Sequence, residues 1–282
     1  MTRREPVDRG SLPPVSEHPP KVDWTSPAPG SRLARADWLD AARALEPASV
    51  DLCYADPPFA TGRTQRGAAG AYADAWPGLD AYLDWLAPRL EAAVTTLKPT
   101  GSIMVHLDWR TSHRVRVALD ELLGPDCFVN HLVWSYGLGG SSPRRFARKH
   151  DDVLFYSRAP DGHWFDPPLI PATSRRLAGR LKKATDVLDI PALNNMASER
   201  TGYPTQKPLA LLETLVAAAC PPEGTVFDPC CGSGTTLLAA RGAGRLAIGC
   251  DVSPEAVDLT ARRLAGTHEL PERIASSPAG NG

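Results

Sequence analysis

Two short strings carry the side chains best suited to chemistry. Near the front, Asp56-Pro57-Pro58-Phe59 follows the apolar run Val50–Tyr54. A carboxylate, two rigid prolines and an aromatic ring thus come together where a strand should end, the place where open α/β sheets collect their ligands and reacting groups. Near the back, Thr225-Val226-Phe227-Asp228 leads through Pro229-Cys230-Cys231-Gly232-Ser233-Gly234-Thr235-Thr236 into Leu237-Leu238-Ala239-Ala240. This is the pattern of strand, glycine-rich turn and helix, which brings backbone N–H groups and a helix N-terminus up to a ligand with polar or negative groups. Asp251 closes the next apolar run, Leu246–Cys250, one helix later, where an acidic residue is placed to hold a ribose diol. Asp166-Pro167-Pro168 shows how little the tripeptide says by itself. It lacks a preceding apolar strand and a following aromatic residue, and reads as an ordinary turn.

The elements that must position these strings follow from periodicity and breakers. Ala34–Leu45 reads as a short strand and helix, and Val50–Tyr54 as a buried strand. Residues 60–78, rich in Gly, Ala and polar groups, read as a long loop that can close over a ligand. Leu79–Leu97 is an amphipathic helix stopped by Pro99 and Gly101, and Ser102–Leu107 is the next strand. Thr111–Leu123 is helical, Cys127–Tyr136 and Asp152–Tyr156 are strands, and Leu209–Cys220 resumes the helical pattern. Strand Thr225–Asp228, the glycine turn, a helix to Ala240, strand Leu246–Asp251 and helix Pro254–Leu264 complete the body. The alternation predicts an α/β fold with a doubly wound, mostly parallel sheet covered on both faces.

At 282 residues the chain has ample length for one large α/β domain. The expected division is a flexible arm at 1–30, a catalytic body at 31–266 and a disordered tail at 267–282, since both ends are poor in large apolar residues. No apolar stretch is long enough to cross a bilayer, so a cytoplasmic protein with no membrane partner is expected. The six cysteines show no metal-type spacing and read as reduced residues in or near the core, with no metal site. Net charge is −1, yet between Gly139 and Lys183 ten Lys/Arg stand against four Asp. Such a local excess amid Gly, Ser and Pro suits a surface that meets phosphates; a solvated basic face is its bland alternative.

Taken together, the chain resembles DNA amino-methyltransferases that use S-adenosylmethionine, of the order in which a D/S-P-P-Y/F motif precedes the cofactor loop. The resemblance covers roughly residues 33–266. It is supported by Ala36-Asp37-Trp38-Leu39-Asp40, Leu97-Lys98-Pro99-Thr100-Gly101-Ser102, Lys149–Ser157 and Thr205-Gln206-Lys207-Pro208. It implies a Rossmann-like methyltransferase sheet, with a target-recognition region inside 137–200, at roughly 137–148 and 158–200. It also implies that Asp56 and the Pro57 carbonyl accept hydrogen bonds from an exocyclic amino group, that Pro58 helps shape the turn, and that Phe59 stacks on a base extruded from duplex DNA.

By the same resemblance, Phe227, Asp228, Gly232, Ser233 and Gly234 cradle the methionine part of the cofactor, with Cys230 forming the pocket wall where the family commonly has a larger residue. Thr235 and Thr236 cap the following helix, Asp251 holds the ribose, Lys207 lies near the cofactor carboxylate, and Asp37 near its adenine. Arg144, Arg145, Arg148, Lys149, Arg175, Arg176, Arg180 and Lys182 are the candidate DNA contacts. The implied partners are double-stranded DNA, with a homodimer and a cognate restriction endonuclease raised as further ones, and nucleoid association would follow from DNA binding. Asp at the first motif position favours the 6-amino group of adenine over the 4-amino group of cytosine. RNA or protein-glutamine methylation, and a DNA-binding module without activity, are the competing readings. Asp56 in place of Asn speaks against the glutamine substrate.

Overall fold

The computed structural model describes residues 20–137, 141–171, 179–194 and 197–266. In chain order the strands are β1 (Ser31–Arg35), β2 (Val50–Ala55), β3 (Arg63–Gly67), β4 (Gly70–Asp74), β5 (Leu97–Leu107), β6 (Phe128–Ser135), β7 (His150–Ser157), β8 (Leu169–Pro171), β9 (Leu181–Lys183), β10 (Val187–Asp189), β11 (Thr225–Asp228) and β12 (Leu246–Asp251). The helices are α1 (Trp38–Arg43), α2 (Leu79–Thr96), α3 (Ser112–Leu123), α4 (Leu209–Ala219), α5 (Thr235–Gly242) and α6 (Pro254–Leu264).

Eight strands form one sheet in the order β1-β12-β11-β2-β5-β7-β6-β10. Only β7 runs against its neighbours, β5 and β6; the other pairings are parallel. The expected doubly wound, mostly parallel sheet is therefore the architecture found. Strand β2 shows why. All six of its residues are buried, with Cys53 and Ala55 packed among α1, α2 and α3, and Leu52 and Tyr54 among α4 and α5. Successive side chains point to opposite faces, and a strand covered on both faces reads as a continuous apolar run rather than an alternating one.

The register aligns the two functional strings. Cys53 of β2 pairs with Phe227 of β11, and Phe227 in turn with Ile248 of β12. Asp56, Asp228 and Asp251 thus emerge at the carboxyl ends of three adjacent parallel strands, although they lie far apart in sequence.

Three expectations are corrected. The loop expected at 60–78 contains the antiparallel hairpin β3–β4, whose polar, mostly exposed residues gave no period-two signal. It docks closely: a Cβ on Gly67 would stand 2.4 Å from the Gly202 carbonyl oxygen, so only glycine fits there. Strand β5 starts at Leu97 rather than Ser102, with a register shift against β2 between Val50 and Leu52. Finally, the irregular stretch at 158–200 contributes β10 to the edge of the main sheet, where Trp134 donates its indole N–H to the Ile190 carbonyl at 2.7 Å, and forms the small ribbon β8–β9. Strands of three residues are too short to show a period.

Within the stretch expected as an arm, Trp24 packs against the core and Ala28 is buried, with Thr25 bridging to Leu33. The expected tail lies outside the described residues. Among those described, no helix is long and apolar enough to cross a membrane.

Candidate active site

Asp56 stands one residue past β2. Its Oδ2 accepts a hydrogen bond from Lys207 Nζ at 2.5 Å, and both side chains are largely shielded, at 20% and 9% exposure. Lys207 is held by the turn before α4. The Gln206 side-chain oxygen accepts from the Thr201 backbone N–H and hydroxyl, both at 2.8 Å, and its amide donates to the Glu199 carbonyl at 2.8 Å. Lys207 Nζ also lies 5.1 Å from the Phe59 ring centroid, within cation–π range. Pro57 is buried, and Pro58 lines the cavity described below.

Phe59 rests on a layer the sequence did not reveal. His106 stacks on it with centroids 5.9 Å apart and planes 19° from parallel. This histidine is fully buried, hydrogen bonded through Nδ1 to the Tyr54 hydroxyl at 2.7 Å and through Nε2 to Asp151 Oδ2 at 3.3 Å. Burial, reinforced by nearby Asp56, pushes the Tyr54 phenol well above its ordinary pKa, so it stays a neutral hydroxyl. Asp151 Oδ1 accepts from the Tyr136 hydroxyl at 3.3 Å. Burial works to raise the Asp151 carboxyl, but the His106 hydrogen bond and charge, with Lys207 and Tyr136, outweigh it and hold the group below its ordinary value. The lone polar residue in the apolar run Ile103–Leu107 is the available sign of this layer.

Beside Asp56 opens a cavity of about 520 Å³. Its walls combine aromatic rings (Trp38, Tyr72, Trp76, Trp85, Tyr203) with five carboxylates, Asp37, Asp56, Asp228, Asp251 and Glu255, against one basic side chain, Lys207. Hairpin β3–β4 supplies Ala71, Tyr72 and Ala73 to one side, so the segment expected to cover a ligand does form a wall. The buried indole N–H of Trp38 has no acceptor. The cavity is therefore suited to a ligand that is cationic, carries an aromatic ring with acceptors, and offers one anionic group to Lys207.

The glycine turn forms the floor. Gly232 donates its N–H to Asp251 Oδ2 at 2.9 Å, and Ser253 N–H bonds Asp251 Oδ1 at 2.9 Å. A carboxylate has roughly four acceptor positions, so Asp251 can brace the turn and still meet a diol. Ser253, not Asp251, caps α6 by accepting from Ala256 N–H at 3.1 Å. Gly234 has φ +77°, and a Cβ there would sit 2.6 Å from the Thr260 side chain. Buried Arg263 donates to the Ser233 carbonyl, and desolvation lowers its own pKa to about 10. Asp228 is buried, and chiefly desolvation pushes its carboxyl up to about 7 despite a hydrogen bond from Thr236. Burial likewise raises the thiols of Cys230 and Cys231, both on the cavity wall, well above their ordinary range.

Several predicted ligands have other surroundings. The Phe227 side chain is fully buried in the core. Thr235 and Thr236 do not cap α5, whose N-cap is Gly234 with no side-chain bond; the left-handed turn leaves the threonines past the cap position. Thr235 instead shares its hydroxyl with Ser233 at 3.2 Å, and Thr236 serves Asp228. Asp37 caps α1 through Leu39 N–H at 2.8 Å and pairs with Arg89 at 2.7 Å, while still lining the cavity.

Of the basic residues, Arg145 and Arg148 border a second cavity of about 320 Å³ with Trp109, Tyr136, His150 and Asp151. Arg144 is exposed beside them, and Lys149 donates to the Gly137 carbonyl at 2.9 Å. Arg180 and Lys182 lie at the β8–β9 ribbon and border neither cavity. Arg175 and Arg176 fall outside the described residues. All six cysteines are free.

Residues 50–262 match the model of the N6/N4 DNA methylase family, and the chain belongs to that family of DNA methyltransferases. It is 25% identical over 260 residues to the DNA adenine methyltransferase YhdJ of Escherichia coli (strain K12), covering 86% of each chain. Its fold is similar to that of the cytosine-N4-specific PvuII DNA methyltransferase, with TM-score 0.64, 21% identity, and 87% of this chain and 88% of the other covered. A complex of M1.HpyAVI with SAM is similar at TM-score 0.57 and 22% identity, over 83% of this chain and 100% of the other.

Proposed function

We propose that this DNA methyltransferase transfers a methyl group from S-adenosylmethionine to an exocyclic amino group of a base flipped out of duplex DNA, with the 6-amino group of adenine favoured. The observation that carries the reading is the adjacency of Asp56 to an aromatic, acidic cavity on neighbouring strand tips. The cofactor supplies an electrophilic methyl on a positively charged sulfonium. Carboxylates and aromatic rings suit that cation, Asp251 suits its ribose, Lys207 its carboxylate, and the unpaired Trp38 N–H suits an acceptor on its adenine.

An exocyclic amino group is a weak nucleophile because its lone pair is delocalised into the ring. Lys207 engages Oδ2 of Asp56, leaving Oδ1 to accept one amino hydrogen while the Pro57 carbonyl accepts the other. Two acceptors pull the nitrogen toward tetrahedral geometry and localise its lone pair for in-line attack. The gain comes from positioning and from charge fixed in place before reaction. Phe59, steadied from behind by His106, offers its ring to the base.

The acidic first motif residue and the likeness to an adenine methyltransferase support adenine. Cytosine is the second reading, favoured by the PvuII fold. The test is to incubate the protein with unmethylated genomic DNA and S-adenosylmethionine, digest to nucleosides and identify the product by mass spectrometry. The expected product is 6-methyladenine. 4-Methylcytosine would overturn the base assignment but keep the mechanism, and an absence of methylated nucleoside would overturn both.

A further inference from the structure

We propose that the loop from Ser141 to Lys149 separates the target base from its neighbours: Phe146 is the wedge that enters the base stack, and the cavity beside it seats a backbone phosphate of the displaced nucleotide. The inference rests on the duplex-DNA reading above and names the parts that would make extrusion possible.

Phe146 is 97% exposed, whereas the next most exposed large hydrophobic residue among those described, Leu181, is at 63%. A phenyl ring in water adds nothing to the packing of the fold, so stability does not account for its place. Its sequence neighbours are Arg144 and Arg145 on one side and Arg148 and Lys149 on the other. Those charges would draw the loop to a polyanion and bring the ring to the duplex.

The cavity has the chemistry of a phosphodiester site. The Arg148 guanidinium lies 3.4 Å from the Trp109 ring centroid, and Arg145, Ser141 and Ser142 border the same space. Among the described residues, neither arginine is within ion-pair distance of a carboxylate. The two acids of the cavity already have partners other than these arginines: Asp108 accepts from the backbone N–H of Arg110, itself on the cavity wall, at 2.8 Å and from its guanidinium, and Asp151 bonds His106 and Tyr136. A guanidinium stacked on an indole keeps in-plane N–H donors for phosphate oxygens.

Position supplies the link to catalysis. Asp151, on the wall of this cavity, holds His106, and His106 stacks on Phe59. Phosphate site and base platform are thus separated by one layer of side chains. Extruding a base leaves a gap in the stack, and an aromatic ring that fills it restores stacking the duplex has lost.

The test compares native with heat-denatured genomic DNA as substrate for the full chain. Phe146→Ala should lower kcat/KM on duplex about tenfold, the loss of one base–aromatic stack, and leave the single-stranded value unchanged, with Phe146→Trp restoring duplex activity. Arg148→Ala should reduce the slope of log affinity against log salt by about one, as one phosphate contact is lost. The cofactor dissociation constant should stay the same in all variants. Unchanged duplex activity in Phe146→Ala, or equal losses on both DNA forms, overturns the wedge; an unchanged salt slope overturns the phosphate site. A wild-type protein that methylates neither DNA form overturns the methyltransferase reading itself.

Discussion

The half of the molecule around β11, β12 and α6 and the half beyond β7 solve opposite problems. In the first, the glycine turn is tied by backbone and buried side chains, with Asp251, Thr260 and Arg263 all bonded to residues 232 and 233, and its cavity is acidic and aromatic. In the second, basic side chains stand in solvent on short loops and three-residue strands. A small ligand of fixed shape rewards a rigid, enclosed cradle, because ordering costs are met once by the fold. A long polyanion rewards exposed, spaced charge whose reach matters more than its exact geometry. On the proposed function, the contrast fits chemistry in the first half and recognition in the second, with Asp56 at the seam.

The sharpest way to test that seam is Asp56→Ala. Removing a positioned acceptor should cut transfer by about a thousandfold while leaving S-adenosylmethionine affinity, measured by calorimetry, little changed; parallel loss of both would make Asp56 a structural residue of the cradle. The rigid half should fail as a unit. Gly234→Ala, strained by its positive φ and by Thr260, is expected to cost about 1–3 kcal/mol of stability and to lower cofactor affinity, whereas an unperturbed melt with normal binding would show that the turn can relax.

On the recognition side, Glu in place of both Arg175 and Arg176 should weaken DNA binding at low salt without touching cofactor affinity. Identical binding curves would remove that segment from the interface.

A further effect is expected in pH dependence. Asp228 has its carboxyl raised from 3.8 to about 7, mainly by burial. The folded protein therefore keeps this proton longer than the unfolded chain, and the stability it contributes is full below pH 3.8 and lost as pH rises through about 7. Urea midpoints should decline across that window in the wild type and flatten in Asp228→Asn; the same decline in both would point to other groups.

The rigid half was also the more legible. Strand β11, the glycine turn, α5 and β12 follow one another with apolar runs and breakers that only one arrangement satisfies, and Asp56 was found because a buried strand precedes it. What escaped the sequence was contact between distant segments. The bonds of His106 to Tyr54 and Asp151 join β2, β5 and β7, and nothing in spacing announces that a lone histidine in an apolar run supports an aromatic ring. Hairpin β3–β4 was hidden because its residues are polar on both faces. The threonines after Gly234 have the composition of caps, but the left-handed glycine takes the cap position itself.

The cavity wall also bears on self-damage. A sulfonium methyl donor is an alkylating agent, and the strongest nucleophile a protein can place beside it is a thiolate, not the thiol. Cys230 and Cys231 line the same cavity, yet burial and the neighbouring Asp228 and Asp251 hold both thiols protonated far above neutral pH. Burial first, and the acidic surroundings second, thus keep both sulfurs in their less nucleophilic form on the wall where a methyl donor would sit.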